Sequence, residues 1–255
     1  IIVVLALSSA AVTPDISLYA TSLLAGTFVQ LVSIANVILL AWSVPEEGLS
    51  TVRESIVRFF AEDETVQVVR LDRLALLAAL WVILLTGFLA YFVYQAHPHV
   101  PDETQYIFQA NYMAAGQLSV KAPPVPEAFS MYMVPFREAR WYGIFPLGRP
   151  DLLALGTLFG ANWVVNPLLA RSCILLAYLF FQQLYSRRFA RMAVLLLCCS
   201  PWLIFMGMSY MSHVSTLVFA LAAAVLLLRG MKRQNAAFAF AAGLAVGGVF
   251  LIRPL

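Results

Sequence analysis

Long apolar runs separated by short polar clusters dominate this sequence. The runs cover residues 1–12, 16–42, 74–94, 167–185, 192–211, 214–228 and 236–252. A transmembrane helix needs about 20 consecutive apolar residues, and most of these runs approach or exceed that length. They do not alternate between apolar and polar positions, as the strands of a membrane β-barrel would. The pattern predicts an all-α polytopic helical membrane protein with about six to seven transmembrane segments.

The composition supports a membrane protein and gives no indication of a nucleic-acid partner. Hydrophobic residues make up 62% of the chain and charged residues 11%, whereas a soluble domain has about 25% charged residues. The net charge is +3, but the basic residues lie in short clusters between apolar runs. That placement determines membrane topology and gives no indication of nucleic-acid binding. Because the chain begins inside one apolar run and ends after another, we expect it to be part of a longer protein.

Three linkers between apolar runs carry most of the basic residues, at 43–73, 186–191 and 229–233. If each run crosses the membrane once, all three linkers lie on one side, which the positive-inside rule makes cytoplasmic. Residues 95–150 then form a large external loop. The sequence therefore predicts N-terminal membrane segments with a cytoplasmic linker over residues 1–73, followed by a second membrane module over residues 74–255.

The external loop contains three recognisable parts. Residues 101–115 predict a helix, with Pro101 at its first position, acidic residues in its first turn and Gly116 after its last. Residues 121–126, KAPPVP, are typical of a rigid extended turn. Residues 140–150, RWYGIFPLGRP, are aromatic, basic and rich in turn-forming residues. The loop is therefore expected to carry amphipathic helices and ordered turns.

Two adjacent carboxylates open the predicted loop helix and are the main candidates for chemistry. Asp102 and Glu103 follow His97 and His99, and Tyr106 lies one helical turn further on the same side. A carboxylate can accept the proton of an attacking hydroxyl or bind a divalent cation. In the simpler alternative, acidic residues in a first turn favour the helix dipole by about 0.3–1 kcal/mol.

A metal site is a further alternative. His97, His99 and Asp102 carry donor atoms suited to a divalent or transition-metal ion. Two histidines around a proline are also common as polar residues at a membrane interface. No cofactor is certain from the sequence, and a divalent metal ion is the one that this donor set suggests.

Several motifs occur in an order that resembles a known family. They are PDETQYIFQANYMAAGQLS, PPVPEAF, WYGIFPLGRPDLLALG, NPLL, SPWLIFMGMSYMSH and a glycine-rich segment ending in RPL. Their order resembles the GT-C superfamily of membrane-embedded glycosyltransferases that use polyprenyl-phosphate sugars. The branch it resembles most is the protein O-mannosyltransferase and aminoarabinose transferase type, which is common in bacteria. The resemblance covers roughly residues 74–255.

The resemblance implies roles for individual residues. Asp102 would be the catalytic base or its organiser, with Glu103 beside it. The family's aromatic-Pro-x-Gly segment is similar to residues 145–148, and Arg149 stands where relatives often carry histidine. Ser212 and His213 resemble a Ser-His pair at the next external turn. The implied protein is an integral protein of the bacterial inner membrane with its active site on the external face.

The implied reaction is an inverting glycosyl transfer from a polyprenyl-phosphate-linked sugar donor to a hydroxyl of a lipid, glycan or protein. A phosphate leaving group is already acidic, so the reaction needs a base and cations that hold the departing phosphate. Arg149 and Arg253 can supply cations, since a guanidinium donates bidentately to phosphate. Tyr106 and His213 complete the predicted substrate-binding set. In the simpler reading, the two arginines snorkel from helix ends and His213 is a polar helix-end residue.

Two other functions remain open from the sequence. A transporter or flippase usually places ionisable residues inside its spans, facing a pathway, whereas most charges here lie at segment ends. A non-catalytic membrane scaffold would have the same fold without the glycosyltransferase activity. The glycosyltransferase reading therefore leads, with transport and scaffolding as the alternatives.

Overall fold

A computed structural model describes residues 16–43, 50, 54, 71–130 and 133–253. The chain divides into two compact units, Ile1–Ala61 and Glu62–Leu255, and each is described by itself. The apolar run predicted at residues 1–12 and nearly all of the linker at 43–73 lie outside the described residues.

The described part of the chain is mostly helical. Its α-helices are α1 (Ile16–Ser43), α2 (Arg73–Phe88), α3 (Pro101–Ala114), α4 (Gly148–Leu158), α5 (Val165–Leu184), α6 (Arg187–Cys198), α7 (Pro201–Met208), α8 (His213–Arg233) and α9 (Ala236–Ile252). A π-helix, Leu89–Val93, continues α2, and short 3₁₀ helices cover Pro126–Phe129 and Asn162–Val164. The short strands are β1 (Val120–Lys121), β2 (Phe136–Arg137) and β3 (Arg140–Trp141).

Four helical segments are long and apolar enough to cross a membrane: Ile16–Asn36, Arg73–Val93, Asn162–Leu184 and His213–Arg233. The pair α6 and α7 makes a fifth if the two are counted as one bent span, and α9 is apolar but shorter. The prediction of a mostly helical chain is therefore confirmed for the described residues, and several of its helices are long and apolar enough to cross a membrane.

The apolar run at residues 192–211 does not form one straight helix. It belongs to α6 and α7, which are bent by 58° relative to each other. The break falls at Cys199 and Ser200, directly before Pro201. Proline lacks the N–H that would continue the hydrogen-bond ladder of α6, so it begins a new helix instead.

The helices of the second unit pack through small side chains. Ala75, Ala79 and Val82 of α2 are buried against residues of α5, among them Cys173 and Ile174. Gly207 of α7 leaves no room for a side chain, since an added Cβ would lie 2.8 Å from Cγ2 of Thr86. Small residues let helix backbones approach closely, which is how membrane helices gain packing energy without a hydrophobic driving force between them.

One end of this bundle is joined by a buried ion cluster. The Asp72 carboxylate accepts hydrogen bonds from Nε of Arg191 at 2.7 Å and from Nε of Arg187 at 3.3 Å. It also caps α2 by accepting the N–H of Ala75 at 3.0 Å. The Lys232 ammonium at the end of α8 donates to the Gln183 carbonyl. The linkers at 186–191 and 229–233 therefore adjoin the same end of the bundle, as the sequence predicted.

The loop at residues 95–150, which the sequence predicts to be external, corrects the all-α prediction in one respect. Its strands form a small antiparallel sheet in the order β1-β3-β2, with Trp141 opposite both Val120 and Phe136. The indole of Trp141 stacks on Phe136 and donates to the Val134 carbonyl at 3.2 Å. Strands of two residues are too short to give an alternating pattern, which is why the sequence does not show them.

We expect Asp72→Asn to lower the free energy of unfolding by about 2–4 kcal/mol, because it leaves Arg187 and Arg191 without their buried charge partner. Thermal unfolding of the purified protein in detergent measures the loss. Asp151→Asn is the matched control, since that carboxylate is exposed. An equal loss in both variants would contradict the role of the cluster.

The same loss should depend on pH. Burial alone would raise the pKa of Asp72, but the Ala75 N–H and the hydrogen bond and charge of Arg191 outweigh it and hold the pKa below its ordinary value of 3.8. A carboxylate whose pKa is lowered by folding stabilises the folded state at pH values above its unfolded pKa. This stabilisation is lost as the pH falls through the pKa of the folded state. The difference between wild type and Asp72→Asn should therefore be constant near neutral pH and shrink below about pH 4.

Candidate functional site

The candidate site lies at the other end of the bundle, where the external loop meets the turn between α7 and α8. Helix α3 supplies Glu103 and Tyr106, and Arg149 comes from the first turn of α4. All three contact residues 210–212 of the turn. The loop is thus attached to the helices of the bundle through three side chains that the sequence analysis named as candidate site residues.

Glu103 is fully buried and accepts hydrogen bonds from two different segments. Its Oε1 accepts the N–H of Tyr210 at 3.0 Å, and its Oε2 accepts the N–H of His99 at 2.8 Å. The carboxylate also acts electrostatically on the hydroxyl of Tyr94. A buried carboxylate is stable only with such partners. Glu103 is therefore a positioning residue, and its oxygens are already used by the protein.

Arg149 is also fully buried. Its Nη2 and Nε donate to the carbonyl of Tyr210, at 2.7 and 3.1 Å. Burial lowers the pKa of Arg149 to about 10, against the opposing influence of Tyr106 and Glu103, so the side chain stays charged at neutral pH. A buried guanidinium does not snorkel. Its Nη1 has no hydrogen-bond partner in the described part of the chain.

The peptide groups of Tyr210 join these two opposite charges. Its N–H points to the Glu103 carboxylate, and its C=O points to the Arg149 guanidinium. Each charge polarises the backbone in the direction that favours the other, and a low local dielectric strengthens both hydrogen bonds. We call Glu103, Tyr210 and Arg149 the backbone-bridged pair. It fixes where the turn lies relative to α3 and α4.

Asp102, the neighbour of Glu103, is in a different environment. It is half-buried at the surface of α3. Asp102, Arg149 and Arg253 all act electrostatically on the hydroxyl of Tyr106, whose pKa is raised mainly by burial. That hydroxyl donates to Oγ of Ser212 at 3.3 Å. Asp102 and the two arginines therefore share one neighbour, the Tyr106 hydroxyl, on which all three act electrostatically.

Phe145 holds Tyr106 in place from the other side, with the two rings stacked at 4.4 Å between centroids. The aromatic-Pro-x-Gly segment thus packs against the helix that carries the acidic pair. At Gly148 an added Cβ would lie 2.8 Å from the backbone of Leu251. Glycine is needed there because α4 and the end of α9 approach each other closely.

His213 and Arg253 complete the predicted set at this end. His213 is the first residue of α8 and half-buried, with an edge of its ring toward Trp202. Its Nδ1 is buried and has no hydrogen-bond partner among the described residues. Arg253 follows α9, is exposed, and acts electrostatically on both His213 and Tyr106. At this end Tyr106 contacts Ser212, Asp102 and Arg253 act electrostatically on Tyr106, and Arg253 acts on His213.

The predicted metal ligands are not brought together. The His97 ring lies 3.2 Å from the Gln95 carbonyl, and the His99 ring packs edge-on against Tyr94 at 4.1 Å. Over the described residues, no group of three His, Cys, Asp or Glu side chains is placed to hold a metal ion. His97, His99 and Asp102 thus do not form the ligand set considered from the sequence, because both histidine rings are turned to local partners.

Three polar residues of α3 support the loop and were missed by the sequence analysis. The Gln105 and Gln109 amides donate to the carbonyls of Met133 and Phe145, at 2.8 and 2.9 Å. The Tyr112 hydroxyl accepts the N–H of Gly143 at 3.2 Å. Residues 105, 109 and 112 share one face of the helix, and their helical spacing was the signal that could have revealed them.

The chain reaches α3 through a strained reversal. Gln95 and Ala96 have φ values of 53° and 50°, in the left-handed region that non-glycine residues rarely adopt. They directly follow the π-helix Leu89–Val93 and Tyr94. Such conformations persist where surrounding structure determines them. Here the reversal brings the His99 N–H to the Glu103 carboxylate.

A double-mutant cycle tests the backbone-bridged pair. We expect Glu103→Gln and Arg149→Met each to lower the free energy of unfolding by about 2–4 kcal/mol, because each leaves the opposite charge buried alone. The double variant should lose less than the sum, with a coupling of about 1–3 kcal/mol. Thermal unfolding measures all three variants, and Glu138→Gln is the exposed control. Strict additivity would show that the two charges are independent.

Comparison with protein-family models, with curated proteins and with solved structures finds no match for this chain. The assignment of a function therefore depends on the residues and their geometry.

Proposed function

We propose that this chain is a GT-C-type membrane glycosyltransferase that transfers a sugar from a polyprenyl-phosphate donor to the hydroxyl of a lipid, glycan or protein. The proposal combines the motif order in residues 74–255 with the groups clustered around the Tyr106 hydroxyl. In this proposal the positive-inside rule puts the reaction at the external face of the membrane, and the family resemblance implies a bacterial inner membrane.

The observation that carries the proposal is the division of the acidic pair. Glu103 is buried and its oxygens bind the protein, whereas Asp102 lies half-buried at the surface of the same helix. Glu103 holds the helix and the turn in position, and the carboxylate of Asp102 is available to act on a ligand. Two acids that served only the helix dipole would not need a buried arginine and a polarised peptide group to hold one of them.

Asp102 acts as the general base in the proposed reaction. It accepts the proton of the acceptor hydroxyl while the hydroxyl oxygen forms a bond to C1 of the sugar. The C1–O bond to the phosphate breaks on the opposite face, and its electron pair leaves with the lipid phosphate. The configuration at C1 is inverted. The leaving phosphate needs no proton, so one carboxylate is sufficient.

The departing phosphate gains negative charge, which nearby cations and hydrogen-bond donors stabilise. Arg253 is exposed beside Tyr106 and His213, so it is the guanidinium that a phosphate reaches directly. The half-buried His213 ring lies within electrostatic range of Arg253 at the same end. Arg149 contributes its charge from beneath the turn and binds Tyr210 rather than a ligand in this conformation.

A divalent metal would supply a second way to hold the phosphate, but the residues near Asp102 do not fit one. The two histidine rings are engaged elsewhere, and Glu103 has its oxygens occupied by backbone donors. The proposed steps therefore use only groups of the chain.

The Asp102→Asn variant tests the base. We expect transfer from radiolabelled polyprenyl-phosphate sugars in membranes to fall by about 10²- to 10⁴-fold, the usual contribution of general base catalysis. Thermal unfolding should barely change, because the residue is half-buried and an amide fills the same volume. Asp151→Asn controls for the loss of a carboxylate at the same end. Transfer retained by Asp102→Asn would contradict the assignment, and a chelator arm tests metal dependence separately.

One observation favours a transporter as the second candidate. Arg171 is exposed on α5, inside the candidate span Asn162–Leu184. Ionisable residues within a span commonly mark a transport pathway. Uptake or flipping of a labelled lipid-linked sugar by vesicles, abolished by Arg171→Gln and unaffected by Asp102→Asn, would favour transport over transfer.

A further inference from the structure

Basic residues crowd the end of the bundle opposite the candidate site. They are Arg73, Arg187, Arg188, Arg191, Arg229, Lys232 and Arg233. Asp72 is the only carboxylate at this end within residues 71–253, since every other Asp or Glu there lies between residues 102 and 151. Its side chain is 4% exposed and pairs with Arg187 and Arg191. Within residues 71–253, this end is therefore strongly positive.

Two arginines of this end are exposed close to the ion cluster. Arg73 follows Asp72 in the chain, and Arg188 follows Arg187, so each lies one residue from the Asp72–Arg187 ion pair. Arg187 and Arg191 themselves bind Asp72. Arg73 and Arg188 are thus the exposed guanidinium groups directly beside the ion cluster.

An exposed apolar stripe begins beside Arg188 and follows the outer side of α6. It consists of Tyr185, Phe189, Met192 and Leu196, with the rings of Tyr185 and Phe189 5.6 Å apart. The opposite side of α6, at Ala190, Val194 and Cys198, is buried in the bundle. One face of α6 therefore packs against the bundle, and the opposite apolar face is not covered by any described residue.

The length of this stripe matches one leaflet of a bilayer. The 12 residues of α6 rise about 18 Å at 1.5 Å per residue. Half of the hydrocarbon core of a bilayer is about 15 Å. A molecule with an anionic headgroup and an apolar chain of this length could pair with Arg73 and Arg188 and cover the apolar stripe along α6 at the same time.

We propose that Arg73 and Arg188, together with the stripe Tyr185, Phe189, Met192 and Leu196, form a binding site for an anionic glycerophospholipid. The phosphate of the headgroup pairs with the two guanidinium groups, and an acyl chain lies along α6. An acidic protein would complement the arginines but not a stripe that extends to mid-membrane depth. This proposal is independent of the enzymatic one, because it uses neither Asp102 nor the external loop.

Native mass spectrometry tests the site. The purified chain is equilibrated with mixed micelles that contain equal amounts of phosphatidylglycerol and phosphatidylcholine, and the retained lipids are counted. We expect wild type to retain phosphatidylglycerol preferentially. Each basic residue near an anionic lipid surface contributes about fivefold, so Arg73→Gln/Arg188→Gln should reduce the preference by at least tenfold.

The control is Arg137→Gln/Arg140→Gln, which removes the same charge from two exposed arginines of the external loop. It should keep the preference of wild type, and Arg73→Lys/Arg188→Lys should restore most of it. Equal retention of both lipids by wild type would overturn the proposal. So would an equal loss in the control, since that would reflect net charge alone. If the double glutamine variant unfolds, Arg188→Gln alone, at an exposed position, should still reduce the preference by about fivefold.

Discussion

The position of the external loop depends on one peptide segment, that of Tyr210. Its N–H and C=O are held by a buried carboxylate and a buried guanidinium that come from two different helices of the loop. Neither charge is stable alone in a water-poor environment, and each is tolerable because the backbone between them is polarised by both. Removing either one affects the loop, the turn and the opposite charge together. The arrangement is therefore a constraint on geometry as much as a source of stability.

The bundle uses polar contacts at its two ends and apolar contacts between them. Helices in a bilayer gain little from hydrophobic burial, because the lipid is as apolar as the side chains. Small residues such as Ala75 and Gly207 allow close packing in the middle. Asp72 then joins α2 to α6 at one end, and Glu103 joins the loop to the turn at the other. Each end therefore has its own polar contacts around one buried carboxylate, and these contacts fix which helices meet there.

The sequence predicts the helices well because apolar runs and caps are local signals. Pro101, the acids behind it and Gly116 give the bounds of α3 almost to the residue. Burial is different, since it depends on which face of α3 packs against the turn. Asp102 and Glu103 are equivalent in the sequence, and only the fold separates them. Arg149 shows the same limit. From the sequence, it is expected to be an exposed arginine that either snorkels or binds a ligand. In the structure it is buried and donates to a backbone carbonyl.

The separation of Asp102 from Glu103 follows from helix geometry. Adjacent residues on an α-helix point about 100° apart, so burying one toward the turn directs the other toward the surface. The same turn carries the peptide of Tyr210, which Glu103 binds, and the hydroxyl of Ser212, which Tyr106 binds. Glu103 therefore fixes the start of α3, and with it Asp102, relative to this turn. A carboxylate pair at the start of a helix can in this way supply the structural support and the reactive group of one site from consecutive residues.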